Sequence, residues 1–166
     1  MNFEISISID PAVSDNRLEQ YLAAINKLDG VRVHIDLFQP PLTPNCTAAQ
    51  ADWIIKNSTH PCDVHYCTRD IVQVDHGNVY VMGVEPGASG RPFLPDTYDR
   101  IRAARAEYPD SKIIVDGGIN DKNIGQVRKA GVDCVAVGNW LYSIYKDKGA
   151  RSLSQAVQGL LDIARR

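Results

Sequence analysis

The period of the apolar positions changes along the chain, and each change marks an element. Phe3–Ile9 alternates apolar and polar residues and is rich in isoleucine, which predicts a strand. After Ser14 the set Leu18, Tyr21, Leu22, Ile25 and Leu28 falls at helical spacing, with Gly30 as the closing cap. Val31–Asp36 is a second strand. Thr47-Ala-Ala-Gln50 has the form of a capping box and opens a helix to about Asn57, ended by His60-Pro61. Cys62–Tyr66 follows as a short third strand. Val79–Val84, Lys112–Asp116 and Cys134–Gly138 are three more strands. Between them lie a helix capped by Asp96 or Thr97, with Tyr98, Ile101 and Ala104 inward, and another from about Lys122 to Ala130. A closing amphipathic helix carries Leu153, Val157, Leu160, Leu161 and Ala164 on one stripe.

Strands alternating with helices predict parallel βαβ units, with chemistry at the C-terminal strand ends. One stretch breaks the rhythm. The twelve residues Cys67–Asn78 show Val/Ile alternation instead of helical spacing, and they are barely long enough for a parallel crossover. A closed barrel needs eight strands and usually about 250 residues; this chain offers six and 166 residues. The expected fold is α/β, an incomplete (βα) TIM-barrel-like scaffold of about six parallel strands with flanking helices, in a single truncated domain over residues 1–166. Such a scaffold leaves an opening between Cys62–Tyr66 and Val79–Val84, which predicts a homo-oligomer, most simply a C2 dimer. Ile71–Val74 has strand alternation and can pair across that interface or patch the gap within one chain.

Charge narrows the class of partner. The 18 basic and 20 acidic residues are mixed, for a net charge of −2, with no basic cluster suited to nucleic acid or an anionic membrane. The opening MNFEISISID lacks a leader pattern, and no apolar run nears the roughly 18 residues of a membrane span, so a cytoplasmic protein is expected. Cys46, Cys62, Cys67 and Cys134 have neither disulfide-scaffold density nor zinc-ribbon spacing and read as reduced thiols, with Cys67 held apart for a reason given below.

Polar residues gather at predicted strand ends. His34-Ile-Asp36 is an i, i+2 pair on one strand face, Asp63-Val-His65 ends the third strand, and Val115-Asp116-Gly117-Gly118 ends the fifth. Two histidines and two carboxylates so placed can converge on one divalent cation: zinc, iron(II), cobalt or manganese. A lone histidine or a strand-end aspartate is ordinarily structural; it is the joint arrangement that points to a site. Pro86-Gly87-Ala88-Ser89-Gly90, Gly117-Gly118 and Gly138-Asn139 each follow a strand, where glycine lets backbone N–H groups approach a phosphate. The plain alternative is that these glycines only make tight turns.

These segments resemble one family. VYVMGVEPGASGRPFLP (Val79–Pro95) is similar to the V-M-S/T-V-x-P-G-F-G-G-Q-x-F stretch of ribulose-phosphate 3-epimerases, and IVDGGIN (Ile114–Asn120) to their V-D-G-G-I/V-N. VHIDLFQPPLTPN (Val33–Asn45) aligns with H-x-D-V-M-D-G-x-F-V-P-N, and Asp63-Val-His65 with D-V-H, all in the family's order. The resemblance implies a shortened member of that family, a sugar-phosphate isomerase of carbohydrate metabolism. It makes His34, Asp36, His65 and Asp116 the ligands of one divalent metal ion, and Asp36 and Asp116 also the acid/base pair that inverts carbon 3 of D-ribulose 5-phosphate to give D-xylulose 5-phosphate. It places Ser8 (less well Ser6), Met82, Gly87, Ser89, Gly90, Gly117, Gly118, Gly138 and Asn139 around the sugar phosphate. The chain departs from the pattern where Phe38 and Cys67 replace methionines expected to line the site, and where Cys67–Asn78 replaces about two and a half βα units. The other class of answer is a non-catalytic phosphosugar-binding or regulatory protein that kept the pocket. A phosphosugar aldolase or decarboxylase is disfavoured, because Lys112 stands at a strand start and no other lysine lies in a predicted strand.

Overall fold

The computed structural model describes residues 3–11, 17–38, 46–68, 70–87 and 90–166. Among them, seven strands form one sheet: β1 (Glu4–Ser8), β2 (Val31–Asp36), β3 (Cys62–His65), β4 (Val72–Asp75), β5 (Asn78–Met82), β6 (Lys112–Asp116) and β7 (Cys134–Val137). Their order is β3-β2-β1-β7-β6-β5-β4, parallel throughout except for the antiparallel pair β4–β5. The helices are α1 (Leu18–Ile25), α2 (Ala48–Asn57), α3 (Thr97–Glu107), α4 (Ile124–Lys129) and α5 (Asn139–Ala164). None is long and apolar enough to cross a membrane.

The six strands expected from the sequence are the six parallel ones. Thr47 and Gln50 form the capping box at the head of α2 in both directions. Three details differ. Asp96 stands at the N-cap of α3, but its carboxylate accepts from Arg100 at 2.9 Å instead of capping the helix. Gly30, with φ 69°, turns the chain into β2 several residues after α1 ends at Ile25. The final helix starts earlier than its apolar stripe indicates, at Asn139, and is broken at Gly149, where φ is 79°.

The two faces of the sheet are chemically unlike. Ile5, Ile7, Val33, Ile35, Val79, Val81, Ile113, Val115, Val135 and Val137 join the buried residues of the helices in one aliphatic core. The alternate positions face the concave side, where Tyr80, Ile114 and Cys134 form only a small apolar cluster. At the N-terminal strand ends that side carries ions: Arg32 donates to both carboxylate oxygens of Asp63 at 2.6 Å, and Lys112 pairs with Glu4. At the C-terminal ends it carries the candidate site.

Ile71–Val74, left open between two roles by its alternation, patches the gap within the chain. Val72–Asp75 becomes β4, the outer strand of a hairpin whose two central residues, His76 (φ 47°) and Gly77 (φ 80°), are both left-handed as a type I′ turn requires. Met82 N–H donates to Ile71 O at 2.7 Å. β3 and β4 are opposite ends of the sheet order, yet their side chains meet. The sheet therefore curls until its edges are bridged by side chains instead of a backbone ladder.

Candidate active site

Ladder register assembles the site. His34 and Asp36 are two apart on β2 and share the concave face, while His65 on β3 is the direct partner of Asp36. Asp116 ends β6 beside Met82. One ligating atom from each of His34, Asp36, His65 and Asp116 lies within 4.8 Å of the others, and all four residues are buried. Asp36 Oδ1 is the hub, 3.0 Å from His34 Nε2 and 3.1 Å from His65 Nδ1.

Their electrostatics follow from that packing. Burial alone would raise the Asp36 carboxyl, but the two imidazoles outweigh it and hold the group well below the usual carboxylate range. Burial likewise opposes a charge on His34, and Asp36 overcomes it, lifting the ring to about 9. For Asp116, burial and then the Asp36 charge act together and push it up to about 7. Two carboxylates with opposite proton affinities thus share one pocket. Two imidazole nitrogens and two carboxylate oxygens within mutual reach fit a divalent cation such as zinc, iron(II), cobalt or manganese, and such a cation would offset the repulsion between Asp36 and Asp116.

A cleft opens over the quartet. Ser8, Met82, Gly87, Gly90, Gly117, Gly118, Gly138 and Asn139 line it with Asp36, Asp116 and Phe38. Past Gly90, Gly118, Gly138 and Asn139 it continues into a second hollow of about 310 Å³, lined also by Arg91, Phe93, Asn120 and Trp140. Of the residues expected around a sugar phosphate, Ser89 lies outside the described residues. Ser6 is buried below the cleft with its hydroxyl unpartnered, so Ser8 is the serine at the opening. Gly117 (φ 96°) and Gly118 (φ 71°) have a packing reason of their own. A Cβ on the first would sit 2.6 Å from Val84 Cγ2, and one on the second 3.2 Å from Phe93 Cα.

Two residues at the site were not among those picked out from the sequence. Gln73 of β4 is buried, with Oε1 3.2 Å from His65 Nε2, and the Tyr80 ring stacks on His65 at 3.8 Å and 5°. The usable signal was the HG turn after a Val-Gln-Val run. Cys67 is fully buried, and burial pushes its thiol well above the ordinary range, so it is a neutral thiol.

Comparison with known proteins agrees with the geometry. The sequence model of the ribulose-phosphate 3 epimerase family matches residues 66–142. The cytoplasmic isoform of ribulose-phosphate 3-epimerase from Oryza sativa subsp. japonica is 39% identical over 64 residues, 39% of this chain and 28% of that one. Ribulose-phosphate 3-epimerase of Helicobacter pylori is 31% identical over 114 residues, 66% of this chain and 48% of its own. The chain therefore spans less than half the length of these relatives. A solved mandelate oxidase variant with (S)-mandelic acid overlays 95% of this chain and 56% of that one with a TM-score of 0.48 at 13% identity, too distant to bear on chemistry. The family model, over just under half of the residues, and the curated relatives alike make the chain similar to ribulose-phosphate 3-epimerases.

Proposed function

We propose that the chain inverts carbon 3 of a pentulose phosphate, interconverting D-ribulose 5-phosphate and D-xylulose 5-phosphate with the help of one divalent metal ion. The observation that carries this reading is the meeting of Asp36 and Asp116 on one concave face with His34 and His65. Inversion needs a base on one side of the carbon and an acid on the other. The two aspartates reach the pocket from β2 and β6, which β1 and β7 separate in the sheet, so they approach from different sides. His34, Asp36, His65 and Asp116 hold the ion, which when bound polarises the substrate carbonyl and so acidifies the adjacent C–H. One aspartate takes that proton and the other returns one to the opposite face. The phosphate lies toward Gly90, Gly118, Gly138 and Asn139, beside the start of α5, since a helix N-terminus favours an anion.

Residues 1–166 act as one unit in the cytoplasm, the compartment that the rice relative's name gives for that protein. The unit pairs as a homodimer. Since Gln73 bridges the corner within the chain, the surface left for a partner is the β4 edge, where Val72 and Val74 are 39% and 57% exposed.

The test is an assay of the purified protein with iron(II), zinc or manganese and D-ribulose 5-phosphate, following xylulose 5-phosphate. Turnover that disappears in both Asp36→Asn and Asp116→Asn supports the reading. Saturable binding of the sugar phosphate with no turnover under any of the three ions overturns it in favour of a phosphosugar-binding protein.

A further inference from the structure

The Gln73 side chain can be oriented without reference to the site. Its Nε2 lies 2.6 Å from the Asp70 carbonyl, which only accepts, and its Oε1 lies 3.0 Å from the Thr68 backbone N–H, which only donates. The opposite amide orientation would set donor against donor and acceptor against acceptor. Oε1 therefore faces His65 Nε2 at 3.2 Å, and that nitrogen carries the hydrogen. In the neutral ring Nδ1 is then a bare lone pair, and it points at Asp36 Oδ1 3.1 Å away. Two acceptors so opposed call for a positive centre between them, a proton in the metal-free protein or a metal ion in the loaded one. The Tyr80 ring, parallel to the imidazole at 3.8 Å, fixes the plane in which this happens.

We propose that Gln73 is a positioning residue, which holds His65 in its Nε2–H tautomer and thereby presents Nδ1 as a metal ligand. The inference rests on the reading of the quartet as a metal centre. It also gives the hairpin a second task. His65 is the last residue of a four-residue edge strand with a ladder on one side only, so backbone pairing does not fix its ring. The strand that departs from the βα rhythm supplies the missing constraint, and a hydrogen bond to the distal nitrogen is the usual way proteins orient a ligating histidine.

The test is calorimetric titration of the metal-free protein with zinc and with cobalt, on the native chain, Gln73→Leu and Gln73→Glu. Gln73→Leu removes the acceptor at similar size and is expected to weaken zinc about 10–100-fold. Gln73→Glu keeps an acceptor and should restore most of the affinity, while melting curves of the metal-free variants report their folding. Native affinity in folded Gln73→Leu overturns the proposal. If that variant does not fold, nitrogen-15 NMR of His65 in the native chain decides: hydrogen on Nε2 with zinc on Nδ1 supports it, and zinc on Nε2 overturns it. A native chain that takes up neither ion overturns the metal reading itself. The His65 tautomer of the neutral metal-free ring then judges Gln73 alone, and hydrogen on Nδ1 counts against it.

Discussion

Asp116 and His65 occupy the same pocket but are delivered to it in different ways. Asp116 ends β6, which has parallel ladders on both sides and is followed by glycines packed against Val84 and Phe93. Its place is set by backbone. His65 ends a short edge strand and is set by side chains: Asp36 on one nitrogen, Gln73 on the other, Tyr80 against the ring. A site residue held by a ladder inherits the rigidity of the sheet, whereas one held by side chains depends on every partner being in place.

The sharpest way to break the comparison is at the chemistry. Asp116→Asn should lower kcat by about 10²–10⁴-fold while circular dichroism and melting temperature stay near native, because the ladder holds the position whatever the side chain. His65→Ala should lower metal affinity at least as much as Gln73→Leu does, and calorimetry on the two variants would show it. Unchanged turnover in Asp116→Asn would remove β6 from the mechanism.

The next effect is on stability. A Cβ at Gly83 would sit 2.3 Å from the Gly117 carbonyl oxygen, a backbone atom with little room to move. Gly83→Ala should cost about 1–3 kcal/mol in urea unfolding. A neutral result would mean that β5 and β6 are less rigidly joined than their ladder implies.

Acidity separates the metal-free from the loaded site. With His34 raised from its ordinary value to about 9, its contribution to stability is full below about pH 6.5 and lost as pH rises toward 9. Asp116, raised to about 7 by burial and Asp36, loses its contribution over a lower window, as pH climbs from about 4 to 7. Chelated protein should therefore melt at lower temperature at pH 9 than at pH 6.5. Zinc should reverse the slope, since metal competes with protons for these ligands.

Smaller effects test the segments that lead to His65. Thr47→Ala removes the side-chain half of the capping box at the head of α2, the hydroxyl that accepts from the Gln50 N–H, and should cost about 1 kcal/mol in denaturant unfolding. Val74→Thr, on the exposed face of β4, should change monomer stability by under about 0.5 kcal/mol yet weaken self-association in sedimentation if that edge is the dimer contact.

The same contrast explains what could be read beforehand. The Lys112–Asp116 strand, its glycines, the His34/Asp36 pair and the Thr47 box are local patterns with local causes, and each stands where its spacing puts it. The corner is another matter. In Val72-Gln73-Val74 the alternation rule turns the valines inward, but the structure exposes them and buries the glutamine, because the inward side of this strand faces the concave polar surface. That surface exists only once the sheet has curled, and no window of a few residues encodes it.

The pairing of β1 with β7 has a consequence for how the chain is made. Glu4–Ile7 has one parallel neighbour in β2, and its other, Cys134–Val137, is translated some 130 residues later. At ribosomal speed that interval is on the order of ten seconds, during which Ile5 and Ile7 have no β7 beside them and no α5 above them. The strand is central in the finished sheet but an edge until β7 has been made. The three site residues on β2 and β3 are made early, and the fourth, Asp116, joins them only when the first strand meets the last. Closure of the sheet and completion of the site are then one late event, and the nascent first half is the stretch most exposed to aggregation or to capture by a holding chaperone.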